Sequence, residues 1–206
     1  MKTQIITSEI IANAMNYETY RSFIEEQLAN NQSAEKNYSE SMLHYTMLNE
    51  RRMKRLDKTT KLAPETLAIL SHINSPQIWL VLTEGWCGDA AQTVPVMAKM
   101  AEQTPNVTLK LLLRDKHLDI MDAFLTNGGR SIPKLIILDK TTLEVLGDWG
   151  PRPAEAQEMF LEAKARPDFS YPVILKDLQT WYTKDKSLST QKELVELIKK
   201  TQLVIS

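Results

Sequence analysis

One short segment contains the most reactive side chain of the chain, a thiol. Cys87 is the only cysteine among 206 residues and stands in the sequence Trp86-Cys87-Gly88-Asp89-Ala90. Thiol–disulfide exchange needs one thiolate to attack a disulfide and a second thiol to release the mixed disulfide that forms. Ala90 stands where a C-x-x-C motif has its second cysteine. Exchange at Cys87 would therefore need an external thiol as the resolving partner.

The surroundings of Cys87 act on its ionisation in opposite directions. The residue is predicted at the N-terminus of a helix, where unpaired N–H groups and the helix dipole favour a thiolate. Glu84 and Asp89 oppose this, because a carboxylate about 4 Å away contributes roughly 1 kcal/mol even in bulk water. The direction of the pKa shift stays open. Asp89 itself has two interpretations, stabilisation of the first helical turn and proton handling, and the first is favoured.

Other residue types that bind cofactors do not form a recognisable site in the sequence. His44, His72 and His117 share no metal-ligand spacing with each other or with Cys87, so we expect no metal. The Asn127-Gly128-Gly129 segment is typical of a turn, because a phosphate-binding loop would continue with lysine and serine or threonine. No cofactor is expected.

A run of basic residues lies in the N-terminal half of the chain. It comprises Arg51, Arg52, Lys54, Arg55, Lys58 and Lys61. A solvated helix face explains the run better than a nucleic-acid site, because the net charge of the chain is −1 and no aromatic platform is interleaved. We expect no nucleic-acid partner.

The composition is typical of a globular protein with a sizeable core, since 43% of the residues are hydrophobic and 25% are charged. The most apolar runs, Ile78 to Leu82 and Leu135 to Leu138, are far shorter than the roughly 20 residues that span a bilayer. The N-terminal isoleucines are interrupted by polar residues, unlike a signal peptide. We therefore expect no membrane partner and a cytoplasmic location. A single cysteine agrees with that location, because disulfides are rare in the reducing cytosol.

Hydrophobic periodicity predicts the elements that must position Cys87. Residues 1 to about 75 are predicted to be helical, with a polar break over 30–33. Three helices are predicted there: 16–30 with Asn16 as its N-cap, about 42–56, and from Pro64 to Ser75.

Beyond residue 76, short apolar runs alternate with helical patterns. The predicted elements are a strand over 77–83, a helix over 87–103, a strand over 107–113, a helix over 118–125, strands over 134–138 and 143–146, and a helix over 154–165. The connection 139–142 has a length suited to a β-hairpin. Two more helices are predicted over about 173–182 and 190–200.

This βαβαββα order resembles the thioredoxin-like superfamily, and four local features match that family's pattern. Trp86 precedes the cysteine, Pro95 lies eight residues after it, and Gly147 follows the hairpin. The Arg130-Ser131-Ile132-Pro133 segment resembles the stretch before the family's cis-proline. The whole chain is similar to bacterial thioredoxin family proteins that have no known substrate.

The resemblance implies an α/β fold with a mixed central sheet flanked by helices. It covers less than half of the chain, so the remaining helices are additions to the fold. We expect an N-terminal helical extension over 1–75 that packs on a main domain over 76–206. That domain would include the extra C-terminal helices.

Three departures from the family pattern remove parts of a dithiol mechanism. Ala90 replaces the resolving cysteine, Asp89 replaces the proline that commonly separates the two cysteines, and Val81 occupies the place of the buried acid. A proton-managing carboxylate beneath the thiol is therefore not evident.

The resemblance also assigns substrate-binding positions. The Ile132–Pro133 peptide bond is implied to be cis, and in the family the backbone before this proline pairs with an extended substrate segment, a form of β-augmentation. Ile132 and Pro133 are therefore candidate substrate contacts. Trp86 either presents an aromatic face beside the thiol or packs into the fold, and both alternatives stay open.

Two functions agree with these residues. In the first, the chain is a monothiol oxidoreductase in which Cys87 reacts with a disulfide-containing protein or a low-molecular-weight thiol. In the second, it is a redox-inactive module that binds a peptide or protein partner near Trp86 and Ile132. The first is favoured by a small margin, because a purely structural module has no need of a cysteine there. Peroxide sensing through Cys87 would require an exposed thiol with a lowered pKa.

Overall fold

One of the most apolar segments of the chain forms a central strand of a sheet. All seven residues of β1 (Gln77–Thr83) are buried, as expected for an apolar run without polar alternation that is covered on both faces. The computed structural model describes residues 5–30 and 40–205, with side chains up to residue 202.

The sheet has four strands in the order β2-β1-β3-β4. The other three strands are β2 (Val107–Leu113), β3 (Lys134–Asp139) and β4 (Val145–Trp149). β1 pairs parallel with β2 and antiparallel with β3, and β3 pairs antiparallel with β4. The predicted α/β fold with a mixed central sheet is confirmed.

Helices surround this sheet. They are α1 (Ser8–Asn13), α2 (Tyr17–Ala29), α3 (Glu40–Thr59), α4 (Pro64–Ser71), α5 (Gly88–Ala101), α6 (Leu118–Ala123), α7 (Ala154–Lys164), α8 (Tyr171–Asp185) and α9 (Leu188–Ile205), with a 3-10 turn at Arg114–Lys116. Among the described residues, no helix is long and apolar enough to cross a membrane.

Most predicted elements are found close to their expected positions. Asn16 caps α2 as predicted, because its side chain accepts a hydrogen bond from the Thr19 N–H at 2.8 Å. Helix α1 lies in the stretch predicted to be helical but was not predicted as a separate helix, since its six residues are too few to show a clear period. Most of the polar break over 30–33 lies outside the described residues.

The predicted last strand, 143–146, is wrong in its position. β4 runs from Val145 to Trp149. Leu143 has a φ of 58° and belongs to the turn, where Asp139 Oδ1 accepts hydrogen bonds from the N–H groups of Thr141 and Thr142 at 2.8 Å. The turn is therefore longer than the apolar pattern indicated.

The N-terminal helices share one hydrophobic core with the sheet. Tyr20 and Ile24 of α2, Met53 of α3 and Leu70 of α4 are buried in the same cluster as the β1 side chains. The main chain contributes as well, because Met15 and Leu111 exchange two backbone hydrogen bonds at the edge of β2. The division of the chain at residue 75 stays a prediction.

The C-terminal helices cover β4 and then return to α5. A Cβ atom on Gly147 of β4 would lie 2.8 Å from Leu197 Cδ1 of α9, so a larger residue there would require the Leu197 side chain to move. Gln92 of α5 donates a hydrogen bond to Gln179 of α8 at 2.7 Å. Helices from both ends of the chain therefore meet around α5, which begins directly after Cys87.

Candidate functional site

Cys87 occupies the N-cap position of α5. Its Sγ accepts a hydrogen bond from the Ala90 N–H at 3.4 Å and donates one to the Ile132 carbonyl oxygen at 3.3 Å. The residue is 7% exposed. The thiol therefore caps the helix and also joins it to the loop before β3.

Burial decides the ionisation of this thiol, which the sequence left open. Loss of solvent raises the pKa of Cys87 to about 12, and the nearby Asp89 carboxylate contributes in the same direction. The N–H groups of Ala90 and Asp89 and the Arg152 guanidinium lower the pKa, but by less. The thiol is therefore neutral at physiological pH in this conformation.

The Asp89 carboxylate belongs to a buried charge network beside the thiol. Its Oδ2 accepts hydrogen bonds from Arg152 Nε at 3.0 Å and Nη2 at 2.6 Å, and its Oδ1 accepts one from the Tyr182 hydroxyl at 2.9 Å. Asp89 does lie in the first turn of α5. Both carboxylate oxygens are nevertheless engaged by residues from the C-terminal part of the chain, which neither sequence interpretation of Asp89 included.

Arg152 is the residue that the sequence reasoning missed most clearly. It lies between two prolines in the connection from β4 to α7. Its guanidinium lies 4.5 Å from the ring centroid of Phe160 and donates to Gln157 Oε1 at 3.2 Å. Arg152 and its partner Asp89 are 63 residues apart, so no local spacing rule relates them. The arginine between two prolines was the only available signal.

Ile132 and Pro133 are both buried, and the Ile132 carbonyl oxygen contacts the thiol. The peptide bond that joins them is cis. Gly150 packs against this loop with a φ of +126°, and a Cβ atom there would lie 2.1 Å from the Pro133 carbonyl oxygen. Only glycine fits this close approach between the loop before β3 and the end of β4.

Trp86 is half-buried. Its ring is therefore neither fully packed into the fold nor fully presented to solvent, which were the two alternatives that the sequence left open. The Arg114 guanidinium lies 5.1 Å from the centroid of the indole ring, within cation–π distance. Arg114 Nη1 also donates to the Arg130 carbonyl oxygen at 3.0 Å. Arg114 therefore connects Trp86 to the loop that contains Ile132.

The other two positions that depart from the family pattern, Val81 and Ala90, are buried. Val81 lies within β1 with no exposed surface, and Ala90 is 1% exposed. Glu84, also buried, accepts a hydrogen bond from the Asp115 N–H at 2.9 Å through its side chain, and its carbonyl oxygen accepts one from the Cys87 N–H. Glu84 thus helps to hold the segment that leads into the site.

Helix α3 also positions the Cys87 segment. The Asn49 side chain is buried and donates to the Gly85 carbonyl oxygen at 2.9 Å, and its Oδ1 accepts a hydrogen bond from Arg52 Nη1 at 2.7 Å. A predicted helical addition therefore orients the residue before Trp86. The sequence carries no pattern that would have identified Asn49.

The described side chains offer no metal site, because no group of three or more His, Cys, Asp and Glu residues could hold an ion. The basic run is only partly a solvated face. Lys54, Lys58 and Lys61 are exposed, whereas Arg52 is half-buried next to α5. For Arg52, the predicted solvated face is wrong, because α5 and α8 pack beside it.

Comparison of the sequence with protein-family models identifies the family of this chain. The sequence model of a family described as Thioredoxin matches residues 35–166, which is more than half of the chain. The expectation that the resemblance covers less than half of the chain is therefore wrong, because the match also includes α3 and α4. No curated protein matches the chain.

Two solved structures share the fold. One is a protein of unknown function, PA1234 from Pseudomonas aeruginosa, with 15% identity and a TM-score of 0.62. The other is an HIV epitope-scaffold with 16% identity and a TM-score of 0.59. In each case the match covers 93% of this chain and 96% of the other chain.

Proposed function

The chain belongs to the thioredoxin family, and on that premise we propose that it is a redox-inactive thioredoxin-like module. It binds a peptide or protein partner on the surface near Trp86 and Ile132. Its single thiol has a structural role.

The state of Cys87 carries the proposal. A thiol with a pKa of about 12 is ionised at pH 7 to only about one part in 10⁵, whereas the thiolate is the nucleophile in disulfide exchange. The Sγ atom is also engaged on both sides, by the Ala90 N–H and the Ile132 carbonyl oxygen. A substrate disulfide would have to displace the second contact before it reached the sulfur.

The surface around Trp86 supports the binding half of the proposal. The indole is half-buried, and amphipathic aromatic rings with one exposed face are frequent anchors of protein interfaces. Arg114 lies over this ring and forms an ion pair with Asp115. The exposed Arg130, whose carbonyl oxygen accepts a hydrogen bond from Arg114, forms an ion pair with Asp122. Arginine is also enriched in interfaces. A partner would therefore meet an aromatic ring beside ion-paired arginines.

The experiment that tests this function compares variants of the full chain in quantitative affinity capture from the source cells. Trp86→Ala should lose the captured partner, while Cys87→Ala should retain it, because no electrons or mixed disulfide are needed. Phe169→Ala, which changes an exposed aromatic residue elsewhere, is the control. Retention of every partner by Trp86→Ala would contradict the proposal.

Monothiol oxidoreduction is the second candidate, and one observation favours it. The N–H groups of Ala90 and Asp89 and the guanidinium of Arg152 all act to stabilise a thiolate at Cys87. In this reaction the thiolate attacks a disulfide, one sulfur leaves as a thiolate, and an external thiol then releases the mixed disulfide. A thiol-transfer activity that Cys87→Ser abolishes would establish this candidate in place of the first.

A further inference from the structure

A pocket lies on the α3 side of the α5 N-terminus. Arg51, Arg52 and Arg55 of α3 line it together with Gln92 of α5 and two α8 residues, Gln179 and Thr183. Its volume is about 220 Å³. A Cβ atom placed on Gly88 would lie 3.1 Å from Gln179 Nε2 and 3.8 Å from Arg52 Nη1, so two side chains that line the pocket lie next to the residue after Cys87.

The positive charge of this pocket is not neutralised within the described part of the chain. No described carboxylate forms an ion pair with Arg51, Arg52 or Arg55. The nearby α3 acids Glu50 and Asp57 both pair with Arg21 of α2 instead. Among the described residues, the three guanidinium groups of the pocket therefore have no carboxylate partner.

The positive charge of Arg52 is the energetically least favourable of the three. It is half-buried, and loss of solvent together with the neighbouring Arg55 lowers its pKa. Its only hydrogen bond to a described residue is the one to Asn49 Oδ1. A desolvated guanidinium beside a like charge is unfavourable unless an anion approaches it.

The chemistry of the lining selects the ligand. Guanidinium groups only donate hydrogen bonds, and their planar N–H fork matches the two oxygens of a carboxylate or phosphate group. The pocket is smaller than the roughly 300–1,000 Å³ of sites for drug-sized ligands. It therefore suits a small group with several negatively charged oxygens.

We propose that the pocket formed by Arg51, Arg52 and Arg55 binds a small, multiply charged oxyanion. Phosphate and carboxylate groups share this chemistry. Neither Trp86 nor Ile132 lines this pocket, so the proposal stands whether or not the proposed function is correct.

Calorimetric titrations of the full chain with pyrophosphate and with citrate, at low and matched ionic strength, test the proposal. We expect saturable binding of at least one probe. Pyrophosphate binding assigns a phosphate ligand and citrate binding a carboxylate ligand, and both outcomes support the site. The Gly88 amide resonance should shift along with binding, because Gly88 borders the pocket.

Substitutions locate the binding. Arg52→Gln and Arg55→Gln should each weaken binding at least about tenfold, because each removes a charged hydrogen-bond donor. Arg55 is exposed, so its variant keeps the fold even if Arg52→Gln does not. The exposed Arg166, in the connection after α7, is the matched control, and Arg166→Gln should bind as the wild type does. Absence of binding by both probes, or wild-type affinity in Arg55→Gln, would overturn the proposal.

Discussion

The Sγ atom of Cys87 lies 3.3 Å from the carbonyl oxygen of Ile132 and donates a hydrogen bond to it. These are the two groups that the family resemblance assigns to substrate, the thiol for reaction and the backbone for pairing. In this chain they engage each other. The contact joins the N-terminus of α5 to the loop before β3.

Alkylation of Cys87 should be slow at neutral pH in the native protein. Burial raises the pKa of the thiol to about 12, so the midpoint of the rate against pH should lie near that value. The rate is measured with iodoacetamide and intact mass. The unfolded chain in denaturant is the control and should show the ordinary midpoint of about 8.5. A native midpoint below 8.5 would instead identify an activated nucleophile.

The same shift predicts a loss of stability at high pH. The folded-state pKa of Cys87 is raised, so its contribution is fully present below the unfolded value and is lost as the pH rises toward about 12. Between pH 9 and pH 11 the free energy of unfolding should therefore fall faster in the wild type than in Cys87→Ala, by roughly 1 kcal/mol per pH unit. Urea denaturation at several pH values measures the difference. Parallel curves for the two proteins would contradict the prediction.

Substitution of Asp89 should change both stability and thiol reactivity. Asp89→Asn leaves Arg152 buried beside a neutral amide, and breaking a buried pair in this way costs about 3–5 kcal/mol. It should also lower the pKa of Cys87, because the carboxylate raises it. Urea denaturation and the alkylation midpoint provide the two readouts.

The Asp89–Arg152 pair is tested further by a double-mutant cycle. Arg152→Met alone should also destabilise the fold, because it leaves the Asp89 carboxylate buried with Tyr182 as its remaining partner. Together with Asp89→Asn, the total loss should be smaller than the sum of the single losses. Additive losses would show that the two side chains are energetically independent.

Loss of the Asn49 amide should loosen the segment that leads into the site. Asn49→Ala leaves the Gly85 carbonyl oxygen without this buried donor, which costs about 1–3 kcal/mol. Lys54→Ala, at an exposed position of the same helix, should change stability by less than about 0.5 kcal/mol. Thermal and urea unfolding compare the two variants. Equal stabilities would show that α3 does not position Gly85.

Deletion of residues 1–75 should unfold the remainder of the chain. Tyr20 and Ile24 are fully buried against the sheet side, and the Tyr20 hydroxyl lies within hydrogen-bond distance of Thr83 Oγ1 in β1. Each such side chain contributes about 1.5–3 kcal/mol, so several of them approach the 5–15 kcal/mol stability of a whole domain. Circular dichroism and size exclusion test the fragment. A fragment 76–206 that unfolds cooperatively would establish an autonomous main domain.

Local patterns were sufficient to predict much of the fold. The side chain that caps α2, Asn16, is adjacent to the helix it starts, and the unbroken apolar run of β1 needs no partner to be recognised. Where a turn competes with an apolar pattern, as at Leu143, the pattern placed the strand too early. Periodicity reports which residues prefer burial, but it does not report which backbone hydrogen bonds a turn forms.

The order of residues is enough to show that this chain has one thiol, no resolving cysteine and the family's pattern at Trp86 and at Ile132-Pro133. The ionisation and the contacts of that thiol depend on tertiary packing. Arg152 and Tyr182 reach Asp89 across 63 and 93 residues, and no local period relates such distant positions. These and other packed residues exclude solvent from Cys87, and this burial raises its pKa. The direction of the pKa shift therefore depends on the helices from both ends of the chain that surround α5.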